Sequence, residues 1–122
     1  PTSQRAGGGG GGAGSTGGNG SGSGGGSGGN GSPFTITGSD VTYAAGGGGR
    51  RQGQGAGGAG TANRGDASPA GGAGTPTPSA NGGSGIVVIR RLTADSSTAS
   101  GTVSISGDDT IHTFTSDGIY TG

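Results

Sequence analysis

Residues 7–32 read GGGGGGAGSTGGNGSGSGGGSGGNGS, and the behaviour of this stretch decides the fold. It holds no apolar side chain larger than Ala, so it has little to offer a hydrophobic core. Two readings suit it. Gly/Ser chains behave as flexible coils, which would make it a linker. The ordered alternative is the left-handed polyproline-II-type helix, with three residues per turn, about 3.1 Å rise and no internal hydrogen bonds. Such helices, laid side by side, bond to one another through N–H and C=O, with Cα–H···O contacts as a minor addition. Close approach needs small residues on the touching edges, so order predicts a period of three. The phase that runs 8, 11, 14 and on to 32 contains only Gly and Ser. Over 47–83 the same phase contains only Gly, Ala, Ser and Thr, apart from Arg50. No strict Gly-X-Y repeat is present, which excludes a collagen triple helix.

The whole composition raises the same question. Of 122 residues 38 are Gly, against a usual share of about 7%. Cys, Met, Trp, Lys and Glu are absent, so every cation is Arg and every anion is Asp. Large apolar side chains are too few to offset the entropy of ordering the full chain, and no disulfide can help. Order must come from dense backbone hydrogen bonding, from neighbouring copies, or from both. The net charge is zero with a pI near 7.2, so the basic footprint of a nucleic-acid binder is missing. No stretch approaches the roughly 20 apolar residues that span a bilayer. With neither an initiator Met nor a signal peptide, Pro1 reads as a processed end or the edge of an excerpt.

The length suits one domain over 1–122, organised in four segments. The tract 7–32 comes first. Residues 33–45 alternate through Phe34, Ile36, Val41 and Tyr43, and read as two short strands or a hairpin. A second Gly-rich tract covers 46–85. From 86 onward β-formers dominate. The run Ile86-Val87-Val88-Ile89 favours a strand buried on both faces. Thr102–Ser106 and Thr110–Thr115 follow, with Asp117-Gly118 as a primed hairpin turn before Ile119-Tyr120. This last segment reads as a β-meander, and nothing in the chain has helical periodicity.

Catalytic, cofactor and metal sites are not expected. The one His, His112, sits on an alternating strand (Thr110, His112, Phe114), where a plain strand-face role is ordinary. A triad from His112, Asp109 and a Ser would need a pocket this core can hardly frame. Gly53-Gln54-Gly55-Ala56-Gly57-Gly58 spells the dinucleotide pattern but joins no strand to a helix. Arg64-Gly65-Asp66 spells the integrin tripeptide in a chain where Gly makes such matches cheap. Asp108, Asp109 and Asp117 would offer oxygens to Ca²⁺, although solvated turns explain them as well. Two sequons are complete, at Asn19 and Asn30, and Thr75, Thr77 and Ser79 resemble O-glycosylated stalk sequence. Unmodified turn chemistry explains all five equally.

The islands between the Gly runs are more specific. Phe34–Gly49 (FTITGSDVTYAAGGGG), Gly57–Asn63 (GGAGTAN), Asn81–Arg90 (NGGSGIVVIR) and Asp109–Gly118 (DTIHTFTSDG) occur in that order. Together they resemble the glycine-rich domain of phage tail-fibre and adhesin proteins and of related bacterial and environmental surface proteins. The resemblance implies a mainly β fold, in which a small β-framework supports packed polyglycine-II helices with no α-helix and no enzymatic activity. In such adhesins the loops between helices contact host receptors. One departure matters: the family hairpin of the Thr-Ile-His-Thr-Phe-Thr type normally precedes the first Gly run, and here it lies near the C-terminus. Reading Tyr120-Thr121-Gly122 onward into Pro1 nearly restores the family order.

The expectation is therefore a non-enzymatic, extracellular fibre subunit whose partners are other copies of itself, joined head to tail. The strands holding Val103, Ile105, Ile111, Phe114, Ile119 and Tyr120 would then pair between subunits. A receptor-binding adhesin, using loops near Arg50-Arg51 and Asn63–Ser68, is the alternative. An ice-binding surface ranks lower, because the Thr residues cluster on the β-strands.

Overall fold

The computed structural model describes residues 5–55, 58–71, 78–95 and 98–122, and no helix occurs among them. The regular elements are β1 (Ser32–Phe34), β2 (Val41–Tyr43), β3 (Val87–Leu92), β4 (Thr98–Ala99), β5 (Thr102–Ser106), β6 (Asp109–Phe114) and β7 (Tyr120–Thr121). The chain forms two compact units: Pro1–Ser32 with Thr42–Ser84, and Pro33–Val41 with Gly85–Gly122. β1 and β2 pair with each other, as the alternation over 33–45 predicts. Ile36 falls outside both strands, in a turn closed by the Gly38 N–H on the Thr35 carbonyl at 2.9 Å.

The first unit is held by backbone hydrogen bonds between extended segments, and their partners advance in threes. The N–H groups of Gly7, Gly10 and Ala13 donate to the carbonyls of Arg50, Gly47 and Ala44, so these two segments run antiparallel. Gly26 and Gly29 donate to Gly7 and Gly10, a parallel neighbour. The segment 44–50 addresses three neighbours at once. Its Ala44, Gly47 and Arg50 carbonyls face the first segment. Its Ala45 and Gly48 carbonyls accept from Ala67 and Ala70, and its Gly46 and Gly49 N–H groups donate to Gly29 and Gly26.

Glycine is required here by contact and not by dihedral angle, because no Gly in 7–31 or 46–49 has a positive φ. A Cβ added to Gly9 would lie 1.9 Å from the Ser27 carbonyl oxygen, and one on Gly12 would lie 2.2 Å from that of Asn30. Gly8 and Gly11 have their nearest neighbours at 3.4 and 3.9 Å. The crowded positions recur every third residue, at 9 and 12, then at 14, 17 and 20, then at 25, 28 and 31. Positions 26 and 29 are crowded too, which gives that segment two packed edges, and Gly26, Gly29 and Gly47 are buried. A single phase through 7–32 does not persist. Each reversal of the chain, such as the Ser21–Gly24 bridge, presents a different edge to the neighbours.

Ala44, like Asn63 at φ 59°, departs from the dihedral rule, with φ of 57°. Its N–H and C=O are both committed, to Arg64 and Ala13, so the residue is held in a conformation that costs an L-residue about 1–2 kcal/mol. Ala44→Gly relieves that strain while loosening the unfolded chain by about 0.5–1 kcal/mol. A net gain of a few tenths to about 1 kcal/mol is expected in thermal unfolding.

In the second unit β6 is the centre of a three-stranded antiparallel sheet of order β3-β6-β5, and β4 pairs with β7. The register sets Ile89 opposite His112 and Arg90 opposite Ile111, with Val103 and Ser104 opposite the same pair on the other side. Thr110, Ile111, His112 and Phe114 are buried, so the central strand is buried on both faces. The apolar run at 86–89 was expected to hold that place. Instead β3 is an edge strand, with Val87 and Leu92 more than half exposed. The turn assignment also moves. Gly107-Asp108 joins β5 to β6, with Gly107 at φ 61°, the requirement of a II′ hairpin turn. The segment after Asp117-Gly118 does not fold back onto β6, since β7 pairs with β4. The sheet is therefore no meander: its central strand is the last of the three in sequence.

Candidate functional surfaces

Strand alternation separates the chemistry of β6 onto two faces. Asp109, Ile111 and Thr113 share one face, while Thr110, His112 and Phe114 share the other. On the first face the Arg90 Nε–H donates to Asp109 Oδ2 at 2.7 Å, and the Arg90 guanidinium also reaches the Thr35 carbonyl at 3.3 Å. Gly38 lies over Ile111 on this side. On the second face the His112 ring meets Tyr120 edge to face, with centroids 5.4 Å apart, and the Phe114 ring lies against Gly101 and Gly118.

This arrangement places Asp109 and His112 on opposite sides of the sheet, so the nominated triad is not assembled. His112 is 3% exposed, and neither ring nitrogen has a hydrogen-bond partner among the described residues. It is a buried packing residue on that face of β6. Burying polar nitrogens without partners costs about 1–3 kcal/mol each, and the edge-to-face contact returns about 0.5–1.5 kcal/mol. His112→Leu is therefore expected to leave thermal stability unchanged or raised. A fall of more than about 2 kcal/mol would mean that the imidazole has a bonded partner.

The Asp residues do not gather. Among the described residues no three His, Cys, Asp or Glu side chains come together to hold a metal ion, and Asp109 is already taken by Arg90. Arg64-Gly65-Asp66 is built into the first unit. Asp66 Oδ1 accepts the Ala45 N–H at 2.9 Å, and the Arg64 and Gly65 N–H groups both donate to the Ser84 carbonyl. A carboxylate committed in this way is a structural acceptor. No local pattern marks it, because the partner lies 21 residues away. Losing that acceptor strands a part-buried N–H, so Asp66→Ala should cost about 1–3 kcal/mol in denaturant unfolding. Arg51 is similarly occupied, donating from Nη1 to the Gly22 carbonyl at 3.2 Å.

Asn19 and Asn30 are exposed, as is Ser79. Thr75 and Thr77 lie outside the described residues, as do Ala56 and Gly57 of the glycine pattern at 53–58. The six residues expected at subunit contacts divide sharply. Ile111 and Phe114 are the buried hydrophobics of the chain's own sheet, and Tyr120 is half-buried against it. Val103, Ile105 and Ile119 are exposed by 52%, 72% and 74%. β6 has both edges paired within the chain, whereas β5, and the two-residue β7 that holds Tyr120, each keep one edge open.

Exposed large hydrophobics cluster in this second unit: Phe34, Ile36, Val87 and Leu92 join the three just named. A groove of about 370 Å³ between Leu92, Ala94 and Ile105 belongs to the same apolar surface. No helix among the described residues is long and apolar enough to cross a membrane. Compared with protein-family models, with curated proteins and with solved structures, the chain matches none.

Proposed function

We propose that the Gly segments are polyglycine-II-type helices packed side by side, and that the chain is a non-enzymatic structural subunit of an extracellular fibre assembled head to tail. The observation that carries this reading is the three-residue advance of the hydrogen-bond partners. A β-strand alternates between two sides with a period of two. The segment 44–50 instead addresses three neighbours in three successive phases, the pattern of a helix with three residues per turn. Such a body is fixed by main-chain groups and by contacts only Gly can make. It needs almost no apolar core and presents few reactive side chains, which suits a load-bearing element.

The exposed apolar surface of the second unit supplies the contact between copies. Exposed Asn19 and Asn30 are available for glycans along the fibre. Negative-stain electron microscopy of the purified chain tests the proposal: long regular filaments are expected, and a monodisperse monomer at high concentration would overturn it.

A further inference from the structure

β5 is an edge strand of the three-stranded sheet, and the chemistry of its open side is specific. Ser106 pairs with Asp109, Ser104 with Ile111 and Thr102 with Thr113. The two-residue turn at Gly107-Asp108 makes Ser106 and Asp109 a pair that exchanges both main-chain bonds. Alternation then turns the N–H and C=O of Ser104 and Thr102 toward β6, and those of Val103 and Ile105 away from it. These same two residues are the exposed apolar ones, by 52% and 72%. Natural sheets blunt their edges with charges, Pro, bulges or covering segments. The opposite edge of this sheet carries Arg90 and Arg91, and Arg91 covers the Leu92 carbonyl at 2.8 Å. β5, reading Thr-Val-Ser-Ile-Ser, has no such device.

The sequence of β5 also indicates its partner. It is nearly palindromic about Ser104, with hydroxyls at 102 and 106 and β-branched apolar residues at 103 and 105. A surface that complements itself is what a two-fold contact between identical chains requires. We infer that β5 pairs antiparallel with β5 of a second copy, about a two-fold axis through Ser104, and so joins two three-stranded sheets into one. Val103 then faces Ile105 of the partner subunit, and each such pair exchanges both of its N–H···O=C bonds. Their side chains form an apolar cross-strand cluster, flanked by Thr102 opposite Ser106 of the partner subunit. No charged side chain lies on the strand, so nothing repels. A contact this short falls below the roughly 1,200 Å² of stable interfaces. It is weak between free chains and gains strength by effective concentration once chains are linked in an array. A two-fold contact closes on two copies, so it is a lateral contact between fibres, separate from head-to-tail growth.

The absence of Cys from the sequence makes a single introduced thiol a clean reporter. Ser104 would meet its own copy across the axis with Cα atoms about 4.5 Å apart, within disulfide reach. Thr102, on the same strand and also exposed, would not. Under mild oxidation Ser104→Cys is expected to form disulfide dimer at least about tenfold faster than Thr102→Cys. Adding Ile105→Lys, or separately Val103→Pro, should erase that difference. Both changes act on the open side, and Pro there removes an N–H that β6 does not use. Equal rates for the two thiols, or a Ser104→Cys rate unmoved by Ile105→Lys, would overturn the inference. Filaments without preferential cross-linking would remove this contact alone, and preferential cross-linking without filaments would remove the fibre reading alone.

Discussion

Gly29→Ala is expected to destabilise the first unit by about 3 kcal/mol or more, at the upper end of what overpacking costs. The added methyl would lie 2.1 Å from the Ser15 carbonyl oxygen and 2.6 Å from the Gly12 nitrogen. Both obstacles are backbone, so no side chain can swing aside. Moving either segment also strains the bonds that Gly29 makes, from its N–H to Gly10 and from Gly46 to its carbonyl. The contrast is Gly24, where an added Cβ meets nothing within 4 Å and φ is not positive. There Ala should be neutral or stabilising by about 0.4–1 kcal/mol, because it restricts the unfolded chain. Thermal unfolding of the two variants decides the matter, and equal midpoints would contradict the packing described.

The second large effect lies in the sheet. Ile111 is 1% exposed and Phe114 9%, and they are the buried hydrophobics among the described residues. A core this small has no reserve. Ile111→Ala should cost about 2–5 kcal/mol and Phe114→Ala about 3–5 kcal/mol, either of which is comparable with the whole stability of a small unit. Ile119→Ala, at a residue 74% exposed, should change stability by less than about 0.5 kcal/mol. Hydrogen exchange at the β6 amides reports these losses directly.

Part of this architecture is legible in the residues and part is not. The β character of 86–122 follows from its β-branched residues, and the pairing of β1 with β2 follows from the alternation around Gly38-Ser39-Asp40. The absence of helix follows from the absence of its period. Which strand lies in the middle is not legible. Ile86–Ile89 is the more apolar run, yet Thr110–Phe114 takes the centre, because its two faces are covered from outside the sheet, by the 35–40 turn and by the β4–β7 pair with Tyr120. That covering is tertiary and leaves no local mark. The same holds for Asp66, whose partner Ala45 is remote in sequence.

The glycine tracts are the harder case. Their small-residue phase is nearly uniform in sequence, since almost every phase holds Gly or Ser. The crowded phase emerges only when each reversal of the chain fixes a new edge, which shifts it from 9 and 12 to 14, 17 and 20. Val103 and Ile105 were legible as apolar strand residues. Their role as an open edge needed the register with β6.

The most direct test of the account is an alanine scan across Gly7–Gly12, read by thermal unfolding. A threefold rhythm is expected. Gly9→Ala and Gly12→Ala should be severely destabilised, because their Cβ atoms would lie 1.9 and 2.2 Å from neighbouring carbonyl oxygens. Gly7, Gly8, Gly10 and Gly11, with nearest contacts at 3.4 to 3.9 Å, should accept the methyl. A flat profile, with all six positions equally tolerant, would show the tract to be a flexible linker and would contradict the packed-helix reading.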